Sequence, residues 1–231
     1  MRICLCVCLS VIVMASSAGS ASAGLVISTP TGLNPGDHFR ILFITSGTTT
    51  ATSSVISNYD TFVNTDANGA TYNGSVISWK AIVSTPTVNA IDHIGVTGDA
   101  VYLVDGTEVS STDGTSGLWS GGLANPPNEY LDGTSPSATI WTGTNPDGSG
   151  DGSHALGGSD PNNITVGYSA LADYGWISND YATPSSTFSL YGISSDLVVP
   201  GATTVPEPST AVLAALGALA GLTYSFARKR K

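Results

Sequence analysis

Short oxygen-bearing side chains are concentrated in one segment of the chain, NPDGSGDGSHALGGSD at residues 145–160. Carboxylate, amide and hydroxyl oxygens at this spacing suit calcium, which takes about six to eight oxygen ligands in a flexible geometry. The predicted calcium ligands are Asp147, Ser149, Asp151, Asp160 and Asn162. Calcium is the cofactor that the sequence predicts. The alternative is a set of ordinary polar turns, which use the same residue types.

The spacing of the first three ligands resembles the first half of an EF-hand calcium loop, in which a glycine permits a sharp turn. Gly152 occupies that glycine position here. The twelfth position is Gly158, where an EF-hand has a glutamate. The bidentate ligand is therefore missing, and Asp160 or Asn162 would have to replace it from further along the chain.

A second candidate site combines GWISND at residues 175–180 with NPPNE at residues 125–129. The first segment resembles the Trp-Asn-Asp strand with which C-type lectins hold calcium and sugar, although two residues interrupt it. The second is similar to the Glu-Pro-Asn loop of those lectins without matching it. The predicted ligand-binding residues are Glu129, Trp176, Asn179 and Asp180. The alternative is a buried tryptophan beside an Asn-Asp turn.

The tryptophans offer a further way to hold a sugar, because flat rings stack on sugar faces. Trp119, Trp141 and Trp176 form a candidate stacking platform. Tryptophans in a β domain with few aromatic residues belong more often to the core. That alternative is preferred for Trp79 and Trp141.

No motif assigns catalytic residues. His38, His93 and His154 lack the spacing of a zinc site, and no Gly-x-Ser-x-Gly elbow supports a serine nucleophile. The three cysteines all lie within residues 4–8, which belong to a predicted signal peptide, so cysteine chemistry is excluded from the rest of the chain. The sequence predicts that the protein is not an enzyme.

Charge is distributed unevenly along the chain. Residues 24–205 hold sixteen of the 17 acidic residues but two of the seven basic ones, Arg40 and Lys80, which gives this part a formal net charge of −14. Such a charge repels phosphate backbones and attracts cations. Nucleic acid is therefore excluded as a partner.

Short apolar runs between turn residues predict a β-dominated domain with long loops. Strands are predicted at residues 39–45 and 76–83, and a closing strand at 186–197. Asp105-Gly106 separates two further strand-like runs, which predicts a hairpin with a type I′ turn.

The segment SSVISNYDTFVNTDA, residues 53–67, predicts an amphipathic helix packed on the sheet. Its apolar residues recur with helical period and fall on one face. These residues are Val55, Ile56, Tyr59, Phe62 and Val63. Thr52 or Ser53 is the predicted cap at its start.

The N-terminal residues have the pattern of an export signal. Arg2 supplies a positive start, residues 3–14 are apolar, and Ala21-Ser22-Ala23 is a small-x-small cleavage site. The predicted signal peptide is 1–23, with Ala23 before the cut and Gly24 as the first mature residue.

The C-terminal residues combine three features in order: Pro206-Glu207-Pro208, an apolar stretch at 210–227 and a basic cluster at 228–231. The apolar stretch is just long enough to span a bilayer, and clustered positive charge remains on the cytoplasmic side. The combination resembles the PEP-CTERM sorting signal of bacteria. The resemblance implies transient membrane insertion and cleavage near Pro206, Glu207 and Pro208 by an exosortase-type enzyme, with residues 201–209 as a linker.

Six segments of the mature chain, in order, resemble a bacterial surface-domain family with an endostatin-like, C-type-lectin-like fold. They are SWKAIVST, VYLVDGTEV, GGLANPPNEY, IWTGTNPDGS, GWISND and FSLYGIS. The resemblance implies one α+β, β-dominated domain at 24–200, with long loops and one or two helices. Relatives often carry a cysteine where Gly192 stands here, so the family's bridge is lost.

These features together predict an exported surface or extracellular-matrix protein that binds carbohydrate, with extracellular polysaccharide as its partner. One alternative is a purely structural component of a biofilm or exopolysaccharide matrix. The other is a secreted polysaccharide hydrolase, which needs two carboxyl groups about 5 to 9.5 Å apart across a cleft.

Overall fold

A computed structural model describes residues 24–201 of the 231-residue chain. Several predicted features lie outside these residues: the signal peptide with Ala23, the Pro206-Glu207-Pro208 motif, the apolar stretch at 210–227 and the basic cluster at 228–231. Within residues 24–201, no helix has the length and apolar character required to cross a bilayer.

The described part of the chain is β-dominated, as predicted, with eleven short strands and two α-helices. The strands are β1 His38–Ile44, β2 Thr71–Tyr72, β3 Ser75–Val76, β4 Trp79–Ala81, β5 Ala100–Tyr102, β6 Glu108–Ser110, β7 Thr139–Trp141, β8 Ile164–Tyr168, β9 Asp180–Ala182, β10 Tyr191–Ser194 and β11 Leu197–Val198. The helices are α1 Ile56–Asp66 and α2 Ala90–Ile94, with single 3-10 turns at Gly152–His154 and Tyr174–Trp176.

The main sheet has the strand order β4-β10-β1-β5-β6, with β11 pairing to the start of β1. β1 is antiparallel to β10 and β11 and parallel to β5. β2 and β3 form a separate hairpin, and β7, β8 and β9 form a three-stranded sheet. The C-type-lectin-like topology stays a prediction.

β1 is the central strand of the fold and confirms the prediction at residues 39–45. Phe39, Ile41 and Phe43 join one hydrophobic cluster, while Leu42 and Ile44 join a second one. Because apolar side chains cover both faces, the strand has a continuous apolar run instead of an alternating pattern. The charged exception within this run is Arg40.

The predicted amphipathic helix is confirmed as α1, which buries Tyr59 and Val63. Val55 lies outside the helix and is exposed, contrary to its predicted place on the apolar face. Ser53 is not the N-cap residue, but its Oγ accepts a hydrogen bond from Val55 N at 3.1 Å. The side chain of Asp60 anchors α1 to the main sheet, because its Oδ1 accepts from Ala81 N at 2.9 Å.

The single strand predicted at residues 76–83 is wrong, because the chain divides there into β3 and β4. Val76 is 72% exposed and pairs in the small hairpin, whereas Trp79 and Ala81 are buried at the edge of the main sheet. Ser78 joins the two parts, and its carbonyl accepts a hydrogen bond from Ser195 N at 2.7 Å. Both halves are apolar, so composition does not mark the division.

The predicted hairpin around Asp105-Gly106 is confirmed by β5 and β6, but its turn type is wrong. A type I′ turn needs positive φ at both central residues, and here positive φ occurs at Gly106 alone. Gly106 N donates to Leu103 O at 3.1 Å, which is typical of a tight turn followed by a glycine bulge. Two consecutive positive φ values occur instead at Asn73-Gly74, between β2 and β3, and at Asn68-Gly69 after α1.

The predicted closing strand at 186–197 corresponds to β10, followed by a turn and β11. β10 lies between β1 and β4 in the middle of the sheet. Gly192 in β10 is needed there, since a Cβ at this position would come within 2.6 Å of Val63 Cγ1 and would also collide with Phe43.

Candidate ligand clefts

Two predicted calcium ligands, Asp147 and Asp160, accept hydrogen bonds from their near neighbours in the chain, whereas Asp151 Oδ2 accepts one from Thr165 Oγ1. Asp147 Oδ1 accepts from Ser149 N at 2.9 Å and from Ser149 Oγ at 2.6 Å. Asp160 Oδ1 accepts from Asn162 N at 2.8 Å. These hydrogen bonds stabilise the ionised carboxylates and lower the pKa of both aspartates.

Asp151 and Asp160 lie on opposite sides of His154. The imidazole Nδ1 is 3.7 Å from Asp151 Oδ2, and Nε2 is 3.4 Å from Asp160 Oδ2. The ring therefore occupies the space between the two carboxylates. Calcium binding by this segment stays a prediction, and its geometry supports the alternative of polar turns.

Glu129 is buried, and both its side chain and its carbonyl accept hydrogen bonds from backbone N–H groups. Its Oε2 accepts from Asp105 N at 3.0 Å, and its carbonyl accepts from Ile44 N at 2.8 Å. Burial raises the pKa of its carboxyl, although the bond from Asp105 N works against this rise. Asn179 N pairs with Val166 O, Asp180 is exposed at the start of β9, and no hydrogen bond within residues 24–201 joins either to Glu129.

All four tryptophans lie in the core, each 3% exposed or less. Trp119, Trp176 and Tyr191 form a row of rings with centroids 6.1 and 5.4 Å apart. Trp141 packs on Phe188, and its Nε1 donates to Thr49 O at 3.0 Å. The stacking platform is therefore wrong, and Trp176 presents no face to a sugar. The core alternative is confirmed for Trp79 and Trp141.

Two open clefts lie at the end of the main sheet where β1 begins. The first, here called the hairpin cleft, has a volume of about 240 Å³ and lies between the β2–β3 hairpin and β11. Tyr72, Ser75 and Val76 form one wall, and Asp196 and Val198 form the other. Val76 and Val198 are exposed, so the cleft offers apolar surface beside polar groups.

The second cleft, here called the helix cleft, has a volume of about 230 Å³ and lies beside the end of α2. Its lining includes Lys80, Thr97, Ser195 and Asp196. Lys80 Nζ donates to His93 O at 2.6 Å. Ser195 and Asp196 line both clefts, so the turn between β10 and β11 forms a shared wall.

Arg40 forms the floor of the helix cleft and ties its parts together. Its Nε donates to Ser194 O at 2.8 Å, and its Nη2 donates to Ile94 O at 3.2 Å. Its Nη1 donates to Gly95 O at 3.1 Å and to Asp113 Oδ2 at 2.9 Å. One buried guanidinium thereby joins β10, the end of α2 and the loop after β6.

His38 stands at the rim of this region, at the start of β1. Its Nδ1 is 2.8 Å from Asp196 Oδ2. The hydrogen bond and charge of Asp196 raise the pKa of the imidazole above its usual value, with smaller contributions from Asp99 and Asp37. The carboxylate of Asp196 is therefore held at the boundary between the two clefts.

Sequence reasoning missed these clefts, whose walls come from segments far apart in the chain. One signal was present: Arg40 interrupts an apolar strand, and a charged residue in such a run is almost never fully buried unless it is paired. Its partner Asp113 lies in a turn-rich segment that contains no motif.

The chain matches the PEP-CTERM protein-sorting motif at residues 204–231. This match confirms the predicted sorting signal, and it implies an exported protein that is anchored transiently in the membrane and processed by exosortase. The match covers the C-terminal segment alone. No curated protein matches the chain.

Proposed function

We propose that the exported domain is a non-catalytic module of the cell surface or extracellular matrix that binds a polysaccharide across the hairpin cleft and the helix cleft. The observation that supports it most directly is the lining of these clefts. In the hairpin cleft, polar groups of Asn73, Ser75 and Ser195 lie beside the exposed aliphatic side chain of Val76, and Thr97 adds a hydroxyl group in the helix cleft. Sugars need the same combination, because they present hydroxyl edges and apolar ring faces.

Binding is favoured over hydrolysis because the described residues that line the clefts supply a single carboxyl group and not a pair of acids. Among the residues that line either cleft, Asp196 is the one carboxylate. Glycoside hydrolysis in most families requires two carboxyl groups that flank the scissile bond. Asp196 is also engaged with His38. This geometry supports a ligand that is held and released unchanged.

The charge of the domain favours a neutral polymer. A formal net charge of −14 over residues 24–205 repels polyanions. The two basic residues of this part, Arg40 and Lys80, both line the helix cleft, but Arg40 is neutralised by Asp113. A neutral, hydroxyl-rich chain avoids this repulsion and matches the open shape of the two clefts.

The test is affinity electrophoresis of the full-length chain in detergent, through gels that contain either neutral glucans or uronic-acid polymers. We expect at least one neutral polymer to retard the protein. Ser195→Trp places a large ring at the shared wall and should abolish the retardation. Ser185→Trp is the matched control, because Ser185 is also exposed but lines neither cleft.

Three results would count against the proposal. Equal retardation of Ser195→Trp and the wild type would mean that the polymer binds to a surface other than the two clefts. If no polymer in the panel retards the wild type, a purely structural matrix role becomes the better description. Shortening of the polymer during incubation would favour a hydrolase.

A further inference from the structure

We propose that His38, Asp99 and Asp196 form a binding site for one divalent transition ion, with Zn²⁺ or Mn²⁺ as the ions that suit it. Each of the three residues offers one ligand atom, and these atoms all lie within 4.8 Å of one another. This site is distinct from the predicted calcium segment at 145–162, and it does not depend on polysaccharide binding.

The register of the main sheet explains why these residues meet. His38 begins β1, and Phe39 beside it pairs with Ala100 of β5 and with Leu197 of β11. Asp99 and Asp196 each precede one of those two partners in the chain. The parallel register of β5 places Asp99 beside His38, and the antiparallel register of β11 places Asp196 beside Arg40, two residues along β1 from His38.

Distances within the cluster fit a metal with small adjustments of side chains. Ligand atoms about 2.0–2.2 Å from a zinc ion lie about 3 to 4 Å from one another. The distance from His38 Nδ1 to Asp196 Oδ2 is 2.8 Å, and the third ligand atom is within 4.8 Å. Rotation of exposed side chains brings these atoms to the distances that a zinc ion requires. The side chains of His38 and Asp196 are 48% and 36% exposed.

The buried Oδ2 atom of Asp99 gives a second, independent reason to infer a bound cation. Asp99 as a whole is half-buried, but its Oδ2 is inaccessible to solvent and has no hydrogen-bond partner among residues 24–201. A buried carboxylate oxygen without a partner is costly, and such groups in folded proteins call for an explanation. A cation held between Asp99, His38 and Asp196 supplies the missing partner.

Hydrogen bonds from Asp113 and Arg40 hold the backbone next to the cluster. Asp99 O accepts from Asp113 N at 2.7 Å, while the Asp113 carboxylate accepts from Gly98 N at 2.8 Å. On the other side, Arg40 holds Ser194 O, two residues before Asp196. The Arg40–Asp113 pair thus fixes both carboxylate-bearing segments, which resembles the outer support that tunes metal sites.

The ligand set selects the type of ion. Imidazole favours zinc and other transition ions, whereas calcium and magnesium prefer oxygen ligands throughout. Two carboxylates offset the charge of the ion. Three protein ligands and an exposed rim leave coordination positions for water or for hydroxyl groups of a molecule in the adjoining clefts.

The test is isothermal titration of the untagged full-length chain in detergent with Zn²⁺ and Mn²⁺, after chelation and removal of the chelator. We expect one ion per chain. His38→Ala and Asp196→Asn should each weaken binding by at least about tenfold, because loss of even an outer partner costs that much. His154→Ala is the matched control, since His154 also lies between two carboxylates but is expected to leave binding unchanged.

NMR signals of the histidine rings test the proposal without any substitution. Zn²⁺ should shift the ring signals of His38 and leave those of His93 and His154 in place. Absence of binding, equal affinity in His38→Ala and the wild type, or a shift confined to His154 would each overturn the proposal.

Discussion

Arg40 and Asp113 form an ion pair at 2.9 Å that is almost completely withdrawn from solvent, with side-chain exposures of 2% and 0%. Both groups make further hydrogen bonds, Arg40 with three backbone carbonyls and Asp113 with Thr97 and Gly98. The pair joins the segments that form the helix cleft and the proposed metal site. Both the proposed polysaccharide site and the proposed metal site therefore depend on this ion pair.

Arg40→Met should destabilise the protein strongly. Removal of one partner leaves the Asp113 carboxylate buried without its countercharge, which typically costs about 3–5 kcal/mol. Urea unfolding followed by circular dichroism measures the loss. The double variant Arg40→Met/Asp113→Leu is the control, because it removes both charges and should recover part of the stability. No loss in the single variant would contradict this role.

Stability should fall in acid through Asp113. Burial raises the pKa of this carboxyl, but hydrogen bonds from Thr97, Arg40 and Gly98 outweigh burial, and the pKa lies below its usual value. An unfolded aspartate titrates at about 3.9. Below about pH 5 the unfolded state therefore binds more protons, and the stability that Asp113 contributes is lost as the pH falls through its folded pKa.

The measurement is the free energy of unfolding between about pH 3 and 6. Asp113→Asn should show a smaller slope against pH than the wild type, whatever its absolute stability. Parallel curves for the two proteins would mean that Asp113 does not cause the acid sensitivity.

Gly192→Ala should destabilise the sheet. The added methyl group would meet Phe43 and Val63, and overpacking of this kind typically costs about 1–3 kcal/mol. Gly122→Ala is the matched control, because a Cβ there meets no atom of the described residues within 4 Å. Thermal melts of both variants give the comparison, and equal midpoints would show that β10 and α1 can separate to make room.

Tryptophan fluorescence should resist quenching. Because each tryptophan is 3% exposed or less, iodide and acrylamide should reach the rings slowly, and a bound polysaccharide should leave the emission nearly unchanged. A polysaccharide that protected the emission strongly from iodide would indicate an exposed stacking ring and contradict the core placement.

Elements with a strong local pattern were predictable from sequence. β1 has six consecutive buried residues, and α1 repeats its apolar residues with helical period, so neighbours along the chain carry the signal. The division between β3 and β4 was not predictable, because Val76 and Ile77 are as apolar as the strand that follows. The Asn73-Gly74 dipeptide is typical of the tight hairpin turn between β2 and β3, but it does not mark where β3 ends and β4 begins.

The candidate site was much less predictable than the fold. Asp, Gly, Ser and Asn at 145–162 have the types of calcium ligands, but the same types form turns, and the structure directs their side chains to local hydrogen bonds. His38, Asp99 and Asp196 are 61 and 97 positions apart in sequence, and strand register alone brings them together. The spacing of these three residues in the sequence does not indicate that register.

The central claim is that the clefts on either side of Ser195 and Asp196 bind a polysaccharide. The most direct test is an NMR titration of the isotope-labelled chain with the polymer that binds most tightly in the panel. Amide shifts should concentrate at Ser75, Ser78, Thr97 and Ser195, which line the two clefts. Shifts that concentrate at residues 145–163 would contradict binding at the clefts and would indicate that the turn-rich loop binds the polysaccharide.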